Sequence, residues 1–432
     1  MNQTAFEAGQ HSGRSLADIL ASLPNGQAAM LPVATARAAI AHSIVPITDT
    51  EWTSLRDGLG RVLAQDIASP IDVPAHDNSA MDGFAVRSID LHSDAPTRLQ
   101  VMGSAHAGSP FSGQVEAGQA VRIMTGAVMP AGCDTVVIQE SATVEGDSVL
   151  IPAGQLPGQN RRLKGEDLVC GRPAVLQGRH LRASDLGLLA SLGIGEIAVH
   201  RRLRVAFFST GNELRSLGQT LDPGCIYDSN RYTLHGMLNR LGVELIDLGV
   251  VPDEPDALES ALRSASQQAD AIISSGGVSV GEADFTRAVM SRTGEVAFWT
   301  IAMRPGRPMA FGRVGAACYF GLPGNPVAVM VTFLFLVRDA LIQLGGGTPR
   351  PLLPMRVRSA QAIRKRPGRT EYQRAHIEIN NTGEWVARIA GNQGSGVLRS
   401  MSEANAMVVL AHDQGDVAPG QWVEAIAFEG LL

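Results

Sequence analysis

The chain has 432 residues, with 47 glycines, 23 prolines and only 5% aromatics, which favours several domains of short elements over one long helical assembly. A net charge of −6 argues against a generally basic, nucleic-acid-binding surface. The cysteines Cys133, Cys170, Cys225 and Cys318 form no CxxC pair, so neither a zinc site nor a disulfide framework is expected, and a reducing cytoplasm is the default.

No basic stretch followed by an apolar run opens the chain, so no signal peptide is expected. Residues 1–30 read as a loosely ordered extension. From 31 to 75, Ala34 to Ile44 favours a helix, and Thr53 to Leu63 suggests a second one closing on Gly60, before Pro70 and Pro74 interrupt it. Residues 76–165 carry short β-branched runs, such as Val121 to Met124 and Thr135 to Gln139, between regularly spaced glycines, and predict a small all-β insertion. A helical pattern returns at Ser184 to Leu192, so 31–75 and 166–200 are expected to form one split helical domain around the insertion.

Residues 201–347 alternate strand and helix. Strands are expected at Leu203 to Ser209, Val243 to Gly249, Ala271 to Ser275, Val296 to Ile301 and Cys318 to Gly321. Helices are expected at Asn230 to Leu241, Asp256 to Gln267, Asp284 to Arg292 and Pro326 to Leu344. That alternation predicts a doubly wound, mainly parallel α/β sheet, whose ligands bind outside the carboxyl ends of the strands. The run Val327 to Val337 is shorter than the about 20 residues of a membrane span and reads as a buried helix. Residues 348–432 read as short strands, a small β-barrel or sandwich. The whole is thus multidomain, α/β plus β.

Chemistry concentrates at the turns. Ser209-Thr210-Gly211-Asn212-Glu213 follows a strand and places hydroxyls and Glu213 at its carboxyl end; the same pattern also suits a helix cap. Ser275, Gly276, Gly277 and Ser279 follow another strand, where glycines let backbone N–H groups approach an anion. Asp284 then opens a helix and suits Mg²⁺ bound together with phosphate oxygens. Arg304-Pro305-Gly306-Arg307 holds two guanidinium groups on one turn, a fork for oxyanions. Pro323 and Pro326 bracket a stiff turn onto a helix N-terminus, where the dipole favours negative charge. Asp77 to Gly83 brings two acids into one polar turn, which suits ligation, base chemistry or simple Asx turns. Arg356, Arg358, Arg364, Lys365, Arg366, Arg369 and Arg374 make the start of the last domain basic, which suggests an anionic small molecule. No RNA-type aromatic motif accompanies them.

The segments DNSAMDGFAVR (Asp77–Arg87), RIMTGAVMP (Arg122–Pro130), KGED (Lys164–Asp167), FSTGNEL (Phe208–Leu214), IYDSNR (Ile226–Arg231), SSGGVSVGEADF (Ser274–Phe285), RPGRP (Arg304–Pro308) and GLPGNPV (Gly321–Val327) occur in one order. In that order they resemble the molybdopterin molybdenumtransferase family, which includes bacterial MoeA and the E domain of gephyrin. The resemblance covers about residues 31–432. It implies a split helical domain, a β insertion, a domain like the pterin-adenylylating protein and a C-terminal β-barrel domain. It implies insertion of molybdate into adenylylated molybdopterin with release of AMP. By resemblance, Asp82, Thr125, Asp167, Glu213, Asp253 and Asp284 act around the adenylate, with Asp253 and Asp284 as Mg²⁺ ligands, and Arg304, Arg307 and Ser395 hold pyrophosphate or molybdate. It further implies an elongated homodimer with a cleft shared between chains. Transient contacts with the pterin-adenylylating protein and apo-molybdoenzymes follow, with no nucleic acid and no membrane. Bacterial relatives often carry lysine where this chain has Thr300, Arg304 and Arg307. Pterin adenylylation, insertion of another oxyanion such as tungstate, and a non-catalytic scaffold are the alternatives.

Overall fold

The computed structural model describes residues 30–278 and 283–432, which form two compact units. One comprises residues 65–177 and 183–196, the other residues up to 64, 178–182 and 197–432. Residues 1–29 of the expected N-terminal extension, and Ser279, lie outside the described residues.

In the first unit, a six-stranded sheet runs in the order Thr135–Ile138, Gly83–Val86, Gln119–Ile123, Thr97–Ala105, Ser148–Ile151, Thr143–Glu145. It is antiparallel except where Thr97–Ala105 meets Gln119–Ile123. Its residues alternate between two small cores: Phe84, Val86 and Ala120 face one, Ala85, Val121 and Ile123 the other. The helix Ala183–Ser191 belongs to the same unit.

The second unit is built on a six-stranded sheet ordered Glu244–Val251, Arg204–Thr210, Ala271–Ser275, Ala317–Leu322, Pro308–Val314, Gly294–Thr300. The first four strands are parallel, and the last three form an antiparallel meander. Val205 and Phe207 pack on one face, Ala206 and Phe208 on the other, all 0% exposed. A strand covered on both faces must be apolar throughout, and each buried Phe contributes on the order of 2 kcal/mol. Helices Ser229–Arg240 and Pro326–Leu344 cover one face, Pro255–Gln268 and Ala283–Thr293 the other. The strand Pro308–Val314 was not among the expected elements, because its leading prolines read only as a turn.

Pro326–Leu344 is long and apolar enough to cross a membrane, with mean hydropathy 2.0. Its residues Val327, Val331, Phe333, Val337 and Leu341 are instead buried in the core, as the reading of a buried helix requires. A π-helical turn at Phe333–Val337 turns Phe335 onto Tyr372 of the last domain, with ring centroids 4.0 Å apart. That domain closes five strands into a barrel: Thr370–Ile379 pairs with Trp385–Ile389 and with Ala406–Leu410, and Met355–Ser359 and Trp422–Ala427 complete the ring.

The helix expected at Thr53 to Leu63 is not formed. Thr50–Ser54 is a strand and Leu55–Gly58 a short 3₁₀ turn, capped where Ser54 Oγ accepts from Asp57 N at 3.3 Å. Trp52 and Thr53 favour extended backbone, and Leu63 bridges to Val199 instead of continuing a helix. The four cysteines are free thiols.

Candidate functional site

Three parallel strands of the second unit end together at the carboxyl edge of its sheet, and small residues let the endings interlock. Gly276 has φ +98°, and a Cβ there would lie 2.4 Å from the Thr210 carbonyl oxygen, so only glycine permits this approach. Gly276 N–H donates to the Leu322 carbonyl at 3.1 Å. Ser275 Oγ donates to the Pro323 carbonyl at 3.3 Å and accepts from Asn230 Nδ2 at 2.8 Å. Asn230 also donates to the Gly324 carbonyl at 2.6 Å, so one buried amide ties the helix Ser229–Arg240 to both the Gly276-Gly277 and the Pro323–Pro326 turns.

Asp228 caps that helix. Its Oδ1 accepts from Arg231 N at 3.1 Å and from Ser209 Oγ at 2.9 Å, and its Oδ2 is buried with no partner. Neither Asp228 nor Asn230 was singled out as a site residue, although both sit in the IYDSNR segment. Their signal was a polar pair next to an apolar helix face. Thr210 Oγ1 donates to Asp253 Oδ1 at 3.3 Å, and Asn212 Oδ1 accepts from Asp253 N at 3.3 Å, which joins Asp253 to the strand Arg204–Thr210. Glu213 is exposed, with its carboxylate lying against Gly211.

Arg304 and Arg307 flank a cis Arg304-Pro305 bond. Pro305 and Gly306 are buried while both arginines are exposed. Gly306 has φ +96°, and a Cβ there would meet Thr332 Oγ1 at 2.4 Å, so the corner of the turn rests on the Pro326–Leu344 helix. Met303 and Arg304 also extend the barrel, pairing in parallel with Thr370 and Glu371. Arg304 stands 3.9 Å from the buried Glu371, which is held more closely by Arg369 at 2.9 Å.

The barrel supplies the other wall. Val327 N, in the first turn of the long helix, donates to the Ser395 carbonyl at 3.1 Å. Asn325 occupies the expected N-cap position but makes no side-chain cap bond. Part of the donor capacity of this helix end is therefore already engaged by the Ser395 segment. Arg374 is 0% exposed and does not face solvent. It donates to Ser400 Oγ at 3.0 Å and to the carbonyls of Asn392 and Gly394, both at 2.9 Å, and so holds the segment that carries Ser395. Burial, and then the neighbouring Arg304 charge, push Arg374 down to about 10. The basic residues around it do not share one face: Lys365 is buried and donates to the His412 carbonyl at 3.1 Å, while Arg356 and Arg358 stack on the Trp422 ring at 5.3 and 4.3 Å.

In the first unit, Asp82 Oδ1 accepts from both Thr125 N and Thr125 Oγ1 at 2.7 Å. The backbone donor, and then the hydroxyl, hold the Asp82 carboxyl below its ordinary range. Asp77 is held low as well, first by Lys164 N–H at 2.7 Å and then by Arg161. Asp167 is exposed, and its N–H donates to the Val73 carbonyl at 3.0 Å. Asp284 lies in the helix Ala283–Thr293; its side chain is outside the description. Among the described residues no group of three or more His, Cys, Asp or Glu side chains is arranged to hold a metal.

Comparison with known proteins matches three successive stretches. Residues 31–193 match the MoeA N-terminal region (domain I and II), residues 206–343 a probable molybdopterin binding domain, and residues 356–428 the MoeA C-terminal region (domain IV). The chain is 42% identical over 406 residues to the molybdopterin molybdenumtransferase of Haemophilus influenzae, spanning 93% of this chain and 100% of that one. It is 37% identical over 382 residues to the enzyme of the same name from Nostoc, spanning 86% and 87%. The crystal structure of a molybdopterin biosynthesis MoeA protein from Pyrococcus horikoshii superposes with a TM-score of 0.80 at 29% identity, covering 92% of this chain and 100% of that one.

Proposed function

The chain belongs to the molybdopterin molybdenumtransferase family, and we infer from that membership that it is a transferase of molybdenum cofactor biosynthesis. The observation that carries the reading to the site is the interlocked carboxyl edge, where two exposed arginines stand on a turn fixed between helix and barrel. The reaction proposed is transfer of molybdenum from molybdate to the dithiolene of adenylylated molybdopterin, with release of AMP.

In this reading each residue has a physical task. The backbone around Gly276 and Gly277 approaches the adenylate phosphates closely, as side-chain-free residues allow. Arg304 and Arg307 offer planar donors to pyrophosphate or molybdate oxygens. Arg374 orients Ser395 through the Asn392–Gly394 carbonyls and leaves anion contact to others. A magnesium ion fits Asp253, since only Oδ1 of that half-exposed carboxylate is engaged by Thr210. Magnesium would neutralise phosphate charge, with most of its ligands supplied by phosphates and water.

The proposal includes a cytoplasmic homodimer in which Asp82 and Thr125 of one chain serve the carboxyl edge of its partner. It also includes transient contact with the pterin-adenylylating protein and with apo-molybdoenzymes. The test incubates purified protein with adenylylated molybdopterin, Mg²⁺ and molybdate, and follows AMP release and activation of an apo-molybdoenzyme. Absence of both would overturn the reaction. Asp82→Ala and Arg307→Ala chains, each inactive alone, are expected to recover activity when refolded together. Verified mixed dimers that stay inactive would refute the shared site.

A further inference from the structure

The amino-terminal edge of the doubly wound sheet carries a second polar cleft, of about 300 Å³, that the proposed reaction does not use. It lies where Arg202 leads into the strand Arg204–Thr210 and Gly242 into Glu244–Val251. Ser209 is near the far end of the first of these strands, about 20 Å away at ~3.3 Å per residue.

Arg182, Arg202, Arg240, Arg338 and Arg350 converge on this cleft from separate segments of the chain, and no Asp or Glu lines it. Arg338 pairs with Asp339 at 2.7 Å. Arg202, Arg240 and Arg350 make no ion pair among the described residues, and Arg202 donates to the Gly242 carbonyl at 2.8 Å. The walls between them are apolar, from Met237 and Phe333. Two imidazoles nearby, each held by a backbone group through one ring nitrogen, leave the other nitrogen without a partner. His180 lines the cleft, and its Nε2 is buried without a hydrogen bond. His200 lines an adjoining cavity bounded by the same Gly60, Arg202 and Gly242. It is only 8% exposed, and its Nδ1 has no partner.

Arg202, Arg240 and Arg350, which no carboxylate neutralises among the described residues, repel one another, and a buried polar nitrogen without a partner is costly. A ligand that supplies several oxyanion acceptors relieves the first, and a donor group on its body would satisfy a bare ring nitrogen. Guanidinium forks match phosphoryl oxygens better than single carboxylates, and the apolar wall adds room for a non-polar body. We propose that this cleft binds a phosphorylated small molecule with an apolar or aromatic body, at a site separate from the carboxyl edge. The inference rests on the cleft itself and stands whether or not the proposed reaction is correct.

The test is calorimetric titration of the full-length protein with AMP and with inorganic pyrophosphate. It compares wild type, Arg307→Ala and the double variant Arg240→Ala/Arg350→Ala. Both positions of the double variant are exposed, so its thermal melt should match wild type. Saturable AMP binding is expected to persist in Arg307→Ala and to weaken about ten-fold or more in the double variant, whose molybdenum transfer without added AMP stays at the wild-type rate. AMP is expected to bind more tightly than pyrophosphate at this site. The proposal is overturned if binding is lost in Arg307→Ala and unchanged in the double variant, or if no saturable binding occurs. Equal affinity for pyrophosphate would remove the apolar body from it.

Discussion

The carboxyl edge of the doubly wound sheet and the Asp77–Asp82 turn of the first unit are both polar turns, yet they are built by opposite means. At the sheet edge, strand ends are brought together by glycine and by neutral amides and hydroxyls, and acceptor atoms of Asp228 and Asn230 are left buried without partners. At the Asp77–Asp82 turn, carboxylates accept backbone N–H groups and are held ionised by them. The first arrangement fixes backbone shape chiefly through uncharged groups, with the carboxylates of Asp228 and Asp253 tied to it by hydroxyls. The second fixes a negative charge on a rigid support.

The largest expected effect tests whether backbone shape dominates at the sheet edge. Gly276→Ala would place Cβ 2.4 Å from a backbone oxygen at φ +98°, where the obstacle cannot rotate away. Overpacking and a disfavoured φ each cost ~1–3 kcal/mol, so a loss of roughly 2–6 kcal/mol is expected in urea unfolding, together with loss of molybdenum transfer. Gly324→Ala is the control on the facing turn. A Cβ there comes no closer than 3.9 Å to any heavy atom, and its stability should stay close to wild type. Equal tolerance of both substitutions would remove the distinction.

A smaller effect probes the charged side of the comparison. Thr125→Val keeps the backbone donor to Asp82 and removes the hydroxyl donor. The Asp82 carboxyl should then titrate at higher pH than in wild type, yet still below an ordinary carboxylate, because the backbone N–H is the larger cause. A carboxyl held low in the folded state favours folding above its unfolded value, and that contribution fades as pH falls through the folded value. Thr125→Val should lose it at a higher pH. Carbon-13 carboxyl titration of Asp82 measures the shift directly, and an unchanged midpoint would mean that the hydroxyl contributes nothing.

Much of this was legible in the sequence, and the gaps have physical causes. The strand-helix alternation from Leu203 to Leu344 was readable because parallel strands buried on both faces must be apolar. Thr53 to Leu63 misled because a short apolar spacing does not distinguish a helix from a strand followed by a 3₁₀ turn. The strand Pro308–Val314 was hidden behind its prolines. At the site, the glycines and arginines announced themselves through turn chemistry. Asn230 did not, since a buried amide acquires its role only when two loops distant in sequence present a hydroxyl and a carbonyl to it. Arg374 showed the reverse: its charge suggested a ligand, and folding placed it beneath the loop it supports.

The smallest expected effect concerns Thr300, which borders the arginine turn. It is exposed, pairs with Pro308 across the antiparallel meander, and its carbonyl accepts from Leu31 N at 2.8 Å. Its side chain brings no charge to the turn, whereas the resemblance led to lysine here in bacterial relatives. Thr300→Lys would add a cation beside Arg304 and Arg307 without disturbing the backbone pairing, which does not depend on the side chain. Two unit charges at 4 Å interact by ~4 kcal/mol at an effective dielectric of 20. An exposed lysine retains much less, because water screens it and its side chain must be ordered, so the net gain is about 0–1 kcal/mol. The molybdate concentration for half-maximal transfer should therefore fall by at most about five-fold. The gain should shrink as salt rises, since an open edge is screened within a Debye length of about 10 Å at 0.1 M. An unchanged half-saturation at low salt would place Thr300 outside the reach of the oxyanion. A gain that resisted salt would mean that the lysine acts by contact in a sheltered pocket, and the picture of Arg304 and Arg307 as solvent-exposed forks would have to be revised.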